Sequence, residues 1–527
     1  MNKFFMLIVC LLCFEAKAQR NVVLIIADDL GTDYLGFYED HVDTVDVPNI
    51  RSLLNKGIRF KNFMSNPVCS ATRSTILTGR YGFRTGVGNI VGSLSGSNEL
   101  DTAEVTIPRI LKYSNSFISS ANIGKWHLQN PAPPAHLLYP NKMGYDHFEG
   151  PFIGQLTSYT NWTKVKNGVS STCTNYATSE NVDNAVAWLK SLNSAHPFFI
   201  WLAFNAPHEP LQLPPSNLHT YTSLTGTVAD INAHPKSYFK AMTQALDTEI
   251  GRLFDSLKAI NKYDSTDFIF IGDNGNTQKT AQIANIDRAK GTVYQYGVHV
   301  PLIIAGPDVK NSGRTNDELI NSTDLFATIL ELMRANNWKN YIPSSKPIDA
   351  KSIMPIINNN IGAIRPWSFC EIFKITTDSA DGKGIRNQDY KLIRFDYGKQ
   401  EFYNLSIDAN ENNDLLKQTI TATDIINYNY LCAELNQLLN TGSFCQLLNS
   451  AETPTNAAKN SSYFPNPFTS FISSENNSTE FVQLINTFTQ VIYEGNEIEK
   501  QDFSFLPKGI YFLKCNKENK VIKMMKE

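Results

Sequence analysis

Residues 22–27 read Val22-Val23-Leu24-Ile25-Ile26-Ala27 and lead directly into Asp28-Asp29. A short, unbroken apolar run rich in β-branched residues is typical of a strand buried on both faces of a parallel sheet. Residues 198–204, FFIWLAF, and residues 268–271, FIFI, repeat this pattern. The three segments therefore predict three strands of a mainly parallel sheet.

Helical patterns separate and follow these strands, near residues 182–189, 238–257 and 325–333. Strands that alternate with helices predict an α/β fold, with a large mainly parallel sheet flanked by helices. Residues 390–395 and 401–405 predict short antiparallel strands that turn at Gly398, within a smaller C-terminal α+β subdomain.

Polar residues follow each of the three predicted strands. They are Asp28-Asp29, the segment NAPH at 205–208, and the segment DNG at 273–275. In open α/β sheets, ligands bind outside the carboxyl ends of the strands. The sequence therefore predicts an active site where these carboxylate, amide and imidazole groups converge.

The N-terminus has the pattern of an export signal at residues 1–18. Lys3 precedes an apolar run at 4–14, and Ala16-Lys17-Ala18 offers small residues for cleavage. The run is too short for a membrane span, which needs roughly 20 apolar residues, and no other segment is long and apolar enough. An exported chain can form disulfides, and a bridge between Cys432 and Cys445 would close a short loop.

The composition is that of a globular protein. The 527 residues are 42% hydrophobic and 18% charged, with a net charge of -3. This balance argues against a nucleic-acid partner, since such proteins are normally basic. An anionic substrate would need local positive charge.

The sharpest motif is NPVCSATRSTILTGR at residues 66–80, where Cys69 precedes Arg73 by four positions. This segment resembles the signature of the sulfatase family. The resemblance continues in the family's order over roughly residues 21–410, through ADD at 27–29, GKWH at 124–127, GYDHF at 144–148, NAPH at 205–208, GDNG at 272–275, and KG at 290–291 leading to VP at 300–301. Seven ordered fragments make a strong signal where one would be weak.

The resemblance implies an alkaline-phosphatase-like fold and hydrolysis of sulfate monoesters. It implies that a maturation enzyme oxidises Cys69 to formylglycine, whose hydrated aldehyde is the nucleophile. A lone cysteine is more often a buried structural residue. Ala71 stands where the commonest pattern of the family has proline, which leaves open which maturation enzyme acts.

The resemblance also implies one Ca²⁺ ion, bound by Asp28, Asp29, Asp273, Asn274 and the modified Cys69. Hard oxygen ligands of this kind suit Ca²⁺ or Mg²⁺ rather than zinc. Adjacent aspartates taken alone are equally compatible with a helix cap or a solvated turn.

Further site residues follow from the resemblance. Arg73 and Lys125 would hold the formylglycine hydrate and the sulfate, and His127 would take the second proton of the hydrate. Lys290 would bind sulfate and, with His208, would assist the leaving alcohol, for which imidazole is a natural proton shuttle. His299 stands where relatives often have arginine, and Gln295 where they often have glutamate.

The last segment of the chain resembles the sorting domain of the type IX secretion system of Bacteroidetes. The residues are FPNPF at 464–468, KGIYFLK at 508–514 and a basic tail. The alternative is a small β-sandwich that binds carbohydrate or packs on the enzyme. If this segment is a sorting domain, we expect a secreted or cell-surface protein. We expect the chain to divide into a signal peptide (1–18), a catalytic domain (19–360), a smaller subdomain (361–449), a linker (450–462) and a β-sandwich-like sorting domain (463–527).

Two other functions stay open beside the sulfatase. One is a phosphodiesterase or phosphonate-monoester hydrolase of the same superfamily, since some of these also use formylglycine. The other is a non-catalytic carbohydrate-binding protein. For a sulfatase, export and the tail favour a sulfated polysaccharide as substrate, and by ecological analogy one from marine algae.

Overall fold

The computed structural model describes residues 20–92, 96–359, 362–441, 444–446, 448, 463–464, 468–474, 481–486, 490–515 and 520–526. The predicted signal peptide and linker lie outside these residues, as does the segment PNP at 465–467. No helix in the described part of the chain is long and apolar enough to cross a membrane.

A ten-stranded sheet dominates the fold, in the order β10-β2-β9-β8-β1-β7-β3-β4-β5-β6. Its strands are β1 (Asn21–Ala27), β2 (Gly57–Met64), β3 (Ser119–Gly124), β4 (His147–Gly150), β5 (Trp162–Lys166), β6 (Val169–Cys173), β7 (Phe198–Ala203), β8 (Thr266–Gly272), β9 (Leu302–Ala305) and β10 (Arg314–Asn321). The central strands β8, β1, β7, β3 and β4 run parallel, as do β10 and β2, whereas β9, β5 and β6 pair antiparallel with their neighbours. The predicted mainly parallel sheet is confirmed.

Helices cover both faces of this sheet. They are α1 (Pro48–Ser52), α2 (Cys69–Thr78), α3 (Gly82–Thr85), α4 (Ile107–Ser114), α5 (Tyr139–Lys142), α6 (Ala177–Ser191), α7 (Val228–Ala233), α8 (Pro235–Ala259), α9 (Gln295–Val298), α10 (Asp324–Leu332) and α11 (Met354–Ile357). The three predicted helices correspond to α6, α8 and α10.

The side chains of β1 alternate between two hydrophobic cores. Leu24 and Ile26 point into a cluster with residues of α2, α4 and α10. Val23 and Ile25 point into a second cluster with residues of α6 and α8. Because β1 is buried on both faces, its sequence is continuously apolar rather than alternating.

A smaller antiparallel sheet follows, in the order β11-β12-β13-β14, and α12 (Ala422–Leu438) packs on it. Its strands are β11 (Ser368–Ile372), β12 (Gly382–Arg386), β13 (Tyr390–Phe395) and β14 (Gln400–Asn404). The predicted hairpin that turns at Gly398 is β13–β14. Cys432 and Cys445 form a disulfide.

The C-terminal region contains two further antiparallel sheets. One pairs β15 (Tyr463–Phe464) with β16 (Ser473–Ser474). The other has the order β18-β17-β19-β20 and contains β17 (Val482–Asn486), β18 (Val491–Gly495), β19 (Gly509–Cys515) and β20 (Lys520–Lys526). The described residues of this region thus form antiparallel sheets with a short 3-10 helix at Ile498–Lys500, in agreement with the predicted β-rich segment.

Candidate active site

The ends of two central strands bring together four side chains of the kind that bind metal ions. β1 and β8 pair in parallel with Ala27 opposite Gly272, so the residues that follow each strand lie side by side. The backbone N–H of Asp273 donates to Ala27 O (3.2 Å), and that of Asp29 donates to Asp273 Oδ1 (3.1 Å). Asp28, Asp29, Asp273 and Asn274 are all at most 1% exposed. The predicted convergence at the strand ends is therefore present.

Helix α2 places Cys69 in the same group. Cys69 is the first residue of α2. The Thr72 hydroxyl accepts from the backbone N–H of Asn66 (2.9 Å) and fixes the turn before the helix. The Cys69 thiol is therefore in the first turn and 1% exposed, where helix N–H groups favour an anion.

Cys69 Sγ lies close to the carboxylates of both strands. Ligand atoms of Asp28, Cys69 and Asp273 all lie within 4.8 Å of one another. Burial raises the pKa of the Cys69 thiol, although the neighbouring charges of Lys125 and Lys290 oppose this.

Both ring nitrogens of His127 make a polar contact, and one of these contacts is with Cys69. Its Nδ1 lies 3.2 Å from Cys69 Sγ, and its Nε2 lies 3.1 Å from the carbonyl oxygen of Val91. A carbonyl can only accept, so the hydrogen resides on Nε2 and Nδ1 is free to accept a proton. The Ser70 hydroxyl donates to His127 O (2.8 Å) and accepts from Val91 N (3.2 Å), so one side chain fixes both segments.

Two further features show that the position of His127 is tightly constrained. Its φ is +58°, a left-handed conformation that a non-glycine residue rarely adopts and that is often found at functional sites. A Cβ at Gly154 would lie 2.2 Å from the imidazole, so only glycine allows the ring its place. Burial and then the charges of Lys125 and Arg73 lower the pKa of His127 well below its usual value, which keeps the ring neutral.

Two buried cations neutralise the aspartates. Arg73 Nη2 and Nε donate to Asp273 Oδ2 (2.8 and 3.1 Å), and its Nη1 donates to Lys125 O (3.0 Å). Lys125 Nζ donates to Asp28 Oδ2. Burial alone would lower the pKa of Arg73, but Asp273 and Asp28 outweigh it and raise that pKa. Arg73 and Lys125 are fully buried.

Asp29 faces a second set of groups. Lys290 Nζ lies 2.5 Å and Asn274 Nδ2 2.7 Å from Asp29 Oδ1, and His208 Nε2 lies 3.6 Å from Asp29 Oδ2. Burial alone would raise the pKa of Asp29, but the charges of His208 and Lys290 lower it. Burial opposes the charge on Lys290, yet Asp29 raises the pKa of Lys290.

The acceptors left over fit a hard divalent cation. Asp28 Oδ1, Asp29 Oδ2 and Asn274 Oδ1 are buried and have no hydrogen-bond partner among the described residues. Unpartnered buried acceptors are costly, and a bound divalent cation would satisfy these three. Asp29 has φ +65°, which turns its carboxylate into the group.

All the predicted site residues thus lie in one cluster, in which the side chains of Lys290 and His208 are 12% and 13% exposed. Some of the residues that hold them in place were not predicted. Tyr159 Oη lies 2.8 Å from Asn205 O and 2.7 Å from His208 O, and its one hydroxyl hydrogen, shared between these carbonyls, holds the turn that carries His208. His147 lies elsewhere, with its Nε2 3.1 Å from Glu149 Oε2. No sequence motif indicated Tyr159 or the carbonyl of Val91.

A search of family models matches the sulfatase model to residues 20–335. The chain belongs to the sulfatase family. The model named N-sulphoglucosamine sulphohydrolase, C-terminal, matches residues 288–440, and the secretion system C-terminal sorting domain matches residues 462–527.

Curated members of the sulfatase family align with this chain over most of its length. Arylsulfatase J of Mus musculus is 29% identical over 411 residues, which cover 71% of this chain and 64% of the mouse protein. N-acetylgalactosamine-6-sulfatase of Homo sapiens is 27% identical over 379 residues, which cover 65% of this chain and 66% of the human protein. The chain thus spans slightly less than two thirds of the length of either relative.

Solved structures share the fold of this sulfatase-family chain. The crystal structure of Ps i-CgsB in complex with k-i-k-neocarrahexaose is 23% identical, with a TM-score of 0.67 over 80% of this chain and 92% of that one. The structure of BT4656 in complex with its substrate D-glucosamine-2-N,6-O-disulfate is 21% identical, with a TM-score of 0.61 over 80% and 97%. They confirm the alkaline-phosphatase-like architecture that the sequence predicts.

Proposed function

We propose that this protein hydrolyses sulfate monoesters of a sulfated carbohydrate, with formylglycine made from Cys69 as the nucleophile. The observation that carries the proposal is the surroundings of Cys69 Sγ, which lies with Asp28 and Asp273 inside one buried group beside Arg73 and Lys125. A sulfate monoester is anionic and resists attack, so its cleavage needs a placed nucleophile and nearby positive charge.

The cations have distinct places in this scheme. Arg73 and Lys125 are fully buried and bound to aspartates, so they fix the nucleophile and the inner oxygens of the sulfate. Lys290 is 12% exposed at its side chain and His208 13%, so these two face the opening through which a substrate arrives. The deeper burial of Arg73 and Lys125 supports contact with the nucleophile, and the partial exposure of Lys290 and His208 supports contact with the substrate.

Residues Asp28, Asp29, Asp273 and Asn274, with the modified residue 69, would hold one Ca²⁺ ion. When bound, the ion supplies Lewis-acid polarisation of a sulfate oxygen. Lys125 and Lys290 then hold Asp28 and Asp29 in place by their contacts with Oδ2 and Oδ1, and leave the other oxygen of each carboxylate for the ion.

The two histidines would move different protons. His127 Nδ1 faces position 69 and, as a neutral imidazole, can take a proton from the group there. His208 Nδ1 lies 2.7 Å from Glu209 O, which leaves Nε2, 3.6 Å from Asp29 Oδ2, as the ring nitrogen that can exchange a proton. His208 Nε2 is therefore placed to protonate the leaving alcohol. Lys290 lies beside it, because both side chains contact the carboxylate of Asp29.

The match to the N-sulphoglucosamine sulphohydrolase C-terminal model supports a carbohydrate sulfate over a phosphodiester or phosphonate ester. A carbohydrate-binding protein without catalysis would need neither the constrained His127 nor the cations around Cys69. The test is the ratio of turnover of 4-nitrophenyl sulfate to that of 4-nitrophenyl phosphate esters in matured protein. A ratio that favours the phosphate esters would contradict the proposal.

Export and sorting belong to the same proposal. The match to the secretion sorting domain supports passage through type IX machinery to the cell surface or medium. We propose the division into residues 1–18, 19–360, 361–449, 450–462 and 463–527, maturation of Cys69 by a formylglycine-generating enzyme, and a sulfated polysaccharide, such as one of marine algae, as substrate. A desulfation screen over defined sulfated oligosaccharides tests the substrate.

A further inference from the structure

Lys290 lies in an irregular segment between the 3-10 helix Ile286–Arg288 and α9. Two main-chain hydrogen bonds tie this segment to the catalytic domain. The backbone N–H of Lys290 donates to Asn276 O (2.9 Å), and that of Gly291 donates to Pro67 O (2.9 Å). No strand or long helix carries Lys290 itself, so the position of its side chain also depends on what holds the residues before and after it.

Glu411, in the loop between β14 and α12, contacts this segment at both ends. Arg288 Nη1 donates to the main-chain carbonyls of Glu411 and of Asn410, the latter at 2.8 Å. Glu411 Oε2 accepts from the backbone N–H of Gln295 (2.5 Å), the first residue of α9. Lys290 lies between these two contacts in the chain. A single residue of the loop after β14 therefore holds both sides of the segment.

The carboxylate of Glu411 is itself fixed by Lys391 of β13. Lys391 Nζ lies 2.9 Å from Glu411 Oε1, in an ionic contact whose geometry does not make a hydrogen bond. The two side chains are 0% and 1% exposed. A buried ion pair is weak evidence for stability, because desolvation offsets its attraction. Here the pair holds one oxygen of the carboxylate, and the other oxygen is directed to the N–H of Gln295.

A second set of contacts attaches the segment to β14. The guanidinium carbon of Arg288 lies 4.6 Å from the centre of the Tyr294 ring and 5.6 Å from that of the Tyr403 ring. Both tyrosine hydroxyls donate to Glu401 Oε2 at 2.7 Å. A cation is attracted to the face of an aromatic ring. Tyr294 belongs to the segment of Lys290 and Tyr403 to β14, so Arg288 joins the two independently of Glu411.

The amine of Lys290 has a small target. Its Nζ lies 2.5 Å from Asp29 Oδ1, and its side chain is 12% exposed. A misplacement of about 1 Å at a reacting centre can cost roughly 100-fold in rate. The contacts of Arg288 and Glu411 restrict the segment before a substrate arrives.

We infer that Arg288 and Glu411 are positioning residues, which hold Lys290 against Asp29 and the substrate. The inference rests on the proposed function, because it takes Lys290 as a group that contacts the sulfate ester. The loop after β14 would thus influence the reaction through the backbone on both sides of Lys290.

The test is a double-mutant cycle on the full, matured chain. Arg288→Met removes the hydrogen bonds to residues 410 and 411 and the charge over the tyrosine rings, on a side chain that is only partly buried. We expect kcat/KM for 4-nitrophenyl sulfate to fall about tenfold to a hundredfold. In the Lys290→Ala background the same change should cost less than about twofold, because a residue that acts through Lys290 then has nothing to position. The activated ester keeps the turnover of Lys290→Ala measurable, since nitrophenolate leaves without a proton.

A second pair of substitutions tests Glu411. Glu411→Met combined with Lys391→Met removes the acceptor for the N–H of Gln295 and leaves no lone buried charge. It should also lower kcat/KM about tenfold or more, and again only when Lys290 is present.

Arg394→Met is the matched control. Arg394 likewise donates to two main-chain carbonyls, those of Phe444 and Phe395, and lies 4.9 Å from the centre of the Phe444 ring. These partners lie outside the segment of Lys290, so kcat/KM should stay within about twofold of wild type, the range of an independent site.

Hydrogen exchange followed by mass spectrometry supplies a readout without turnover. Peptides covering residues 289–298 should exchange faster in Arg288→Met than in wild type, and at an unchanged rate in Arg394→Met. Equal losses of kcat/KM with and without Lys290 overturn the inference, as does unchanged exchange of this segment. Melting curves identify a variant that has lost its fold, and Arg288→Met, at a partly exposed position, keeps the test decisive. Wild type that is inactive on sulfate esters would contradict the proposed function, and the exchange rates would then decide whether Arg288 holds the segment.

Discussion

His127 Nδ1 lies 3.2 Å from Cys69 Sγ, although the two residues are separated by 58 positions in the chain. The backbone at His127 is left-handed, and Gly154 makes room for the ring. This contact joins α2, the helix that begins at Cys69, to the loop after β3. Catalysis by such a pair depends on a placement that is fixed before the substrate arrives.

Ser70 is the side chain that we expect to maintain this placement. Ser70→Ala removes the hydroxyl that bonds His127 O and Val91 N, so the imidazole should lose part of its orientation. We expect kcat on 4-nitrophenyl sulfate to fall about tenfold, the cost of roughly one hydrogen bond, with little change in KM. Steady-state kinetics at saturating substrate measures this. A drop in melting temperature with unchanged kcat would assign Ser70 a structural role only.

Cys69 itself should be chemically altered in active protein. Peptide mass spectrometry of protein co-expressed with a maturation enzyme should show an aldehyde at position 69. Cys69→Ala should abolish turnover with little loss of melting temperature, because among the described residues the thiol makes a single hydrogen bond, to His127. Fully active protein that retains a thiol at this position would refute the proposed nucleophile.

The proposed metal site predicts that removal of the ion lowers activity and stability together. Three buried oxygens of Asp28, Asp29 and Asn274 have no hydrogen-bond partner within the described part of the chain, so removal of a bound ion would leave them unsatisfied. A ligand that binds only the native state at 1,000 times its Kd stabilises by about 4 kcal/mol. Exhaustive chelation should therefore lower both turnover and melting temperature, and Ca²⁺ should restore them. Elemental analysis identifies the ion, and protein with neither a bound divalent ion nor a response to chelation would contradict the site.

Asp267 predicts a pH dependence of stability away from the active site. Burial and the neighbouring Asp308 raise its pKa to about 7, and its Oδ2 has no partner among the described residues. The folded pKa is above the unfolded one, so this contribution is present at low pH and is lost as pH rises through 7. The loss between pH 6 and 8 is about 1.4 kcal/mol.

Asp267→Asn should remove this slope, because an amide keeps the acceptor for the N–H of Asp308 without titrating. Denaturant unfolding of both proteins at pH 6 and pH 8 measures the difference between them. Asp264→Asn is the control, since the Asp264 side chain is 90% exposed and its replacement should leave the slope unchanged. Parallel profiles for wild type and Asp267→Asn would show that Asp267 does not titrate in this range.

The sequence predicts the centre of the sheet better than its periphery. β1, β7 and β8 are buried on both faces and therefore have unbroken apolar sequences. β2 was not predicted, because Arg59, Lys61 and Asn62 interrupt its apolar pattern where the strand approaches solvent. β10 likewise has polar residues through its first half.

The residues of the candidate site also differ in how well the sequence predicts them. Charged residues within family motifs, such as Arg73 and Lys290, were predicted, since the chemistry restricts their type. The carbonyl of Val91 could not be, because any residue supplies a carbonyl and only the fold places it against His127. Tyr159 acts through one hydroxyl on two main-chain carbonyls, a contact that no local pattern indicates.

The last prediction concerns the proton given to the leaving group. His208 Nε2 lies 3.6 Å from Asp29 Oδ2 on a side chain that is 13% exposed, whereas His127 Nδ1 faces Cys69 Sγ. A sugar alkoxide is far more basic than nitrophenolate, so its departure needs the proton more. His208→Ala should therefore lose roughly 10²–10⁴-fold on a sulfated sugar and much less on 4-nitrophenyl sulfate. His127→Ala, which serves a step common to both substrates, is the matched variant and should slow both equally. Equal losses on the two substrates for His208→Ala would move the role of leaving-group acid to Lys290, whose Nζ lies 2.5 Å from the other oxygen of Asp29.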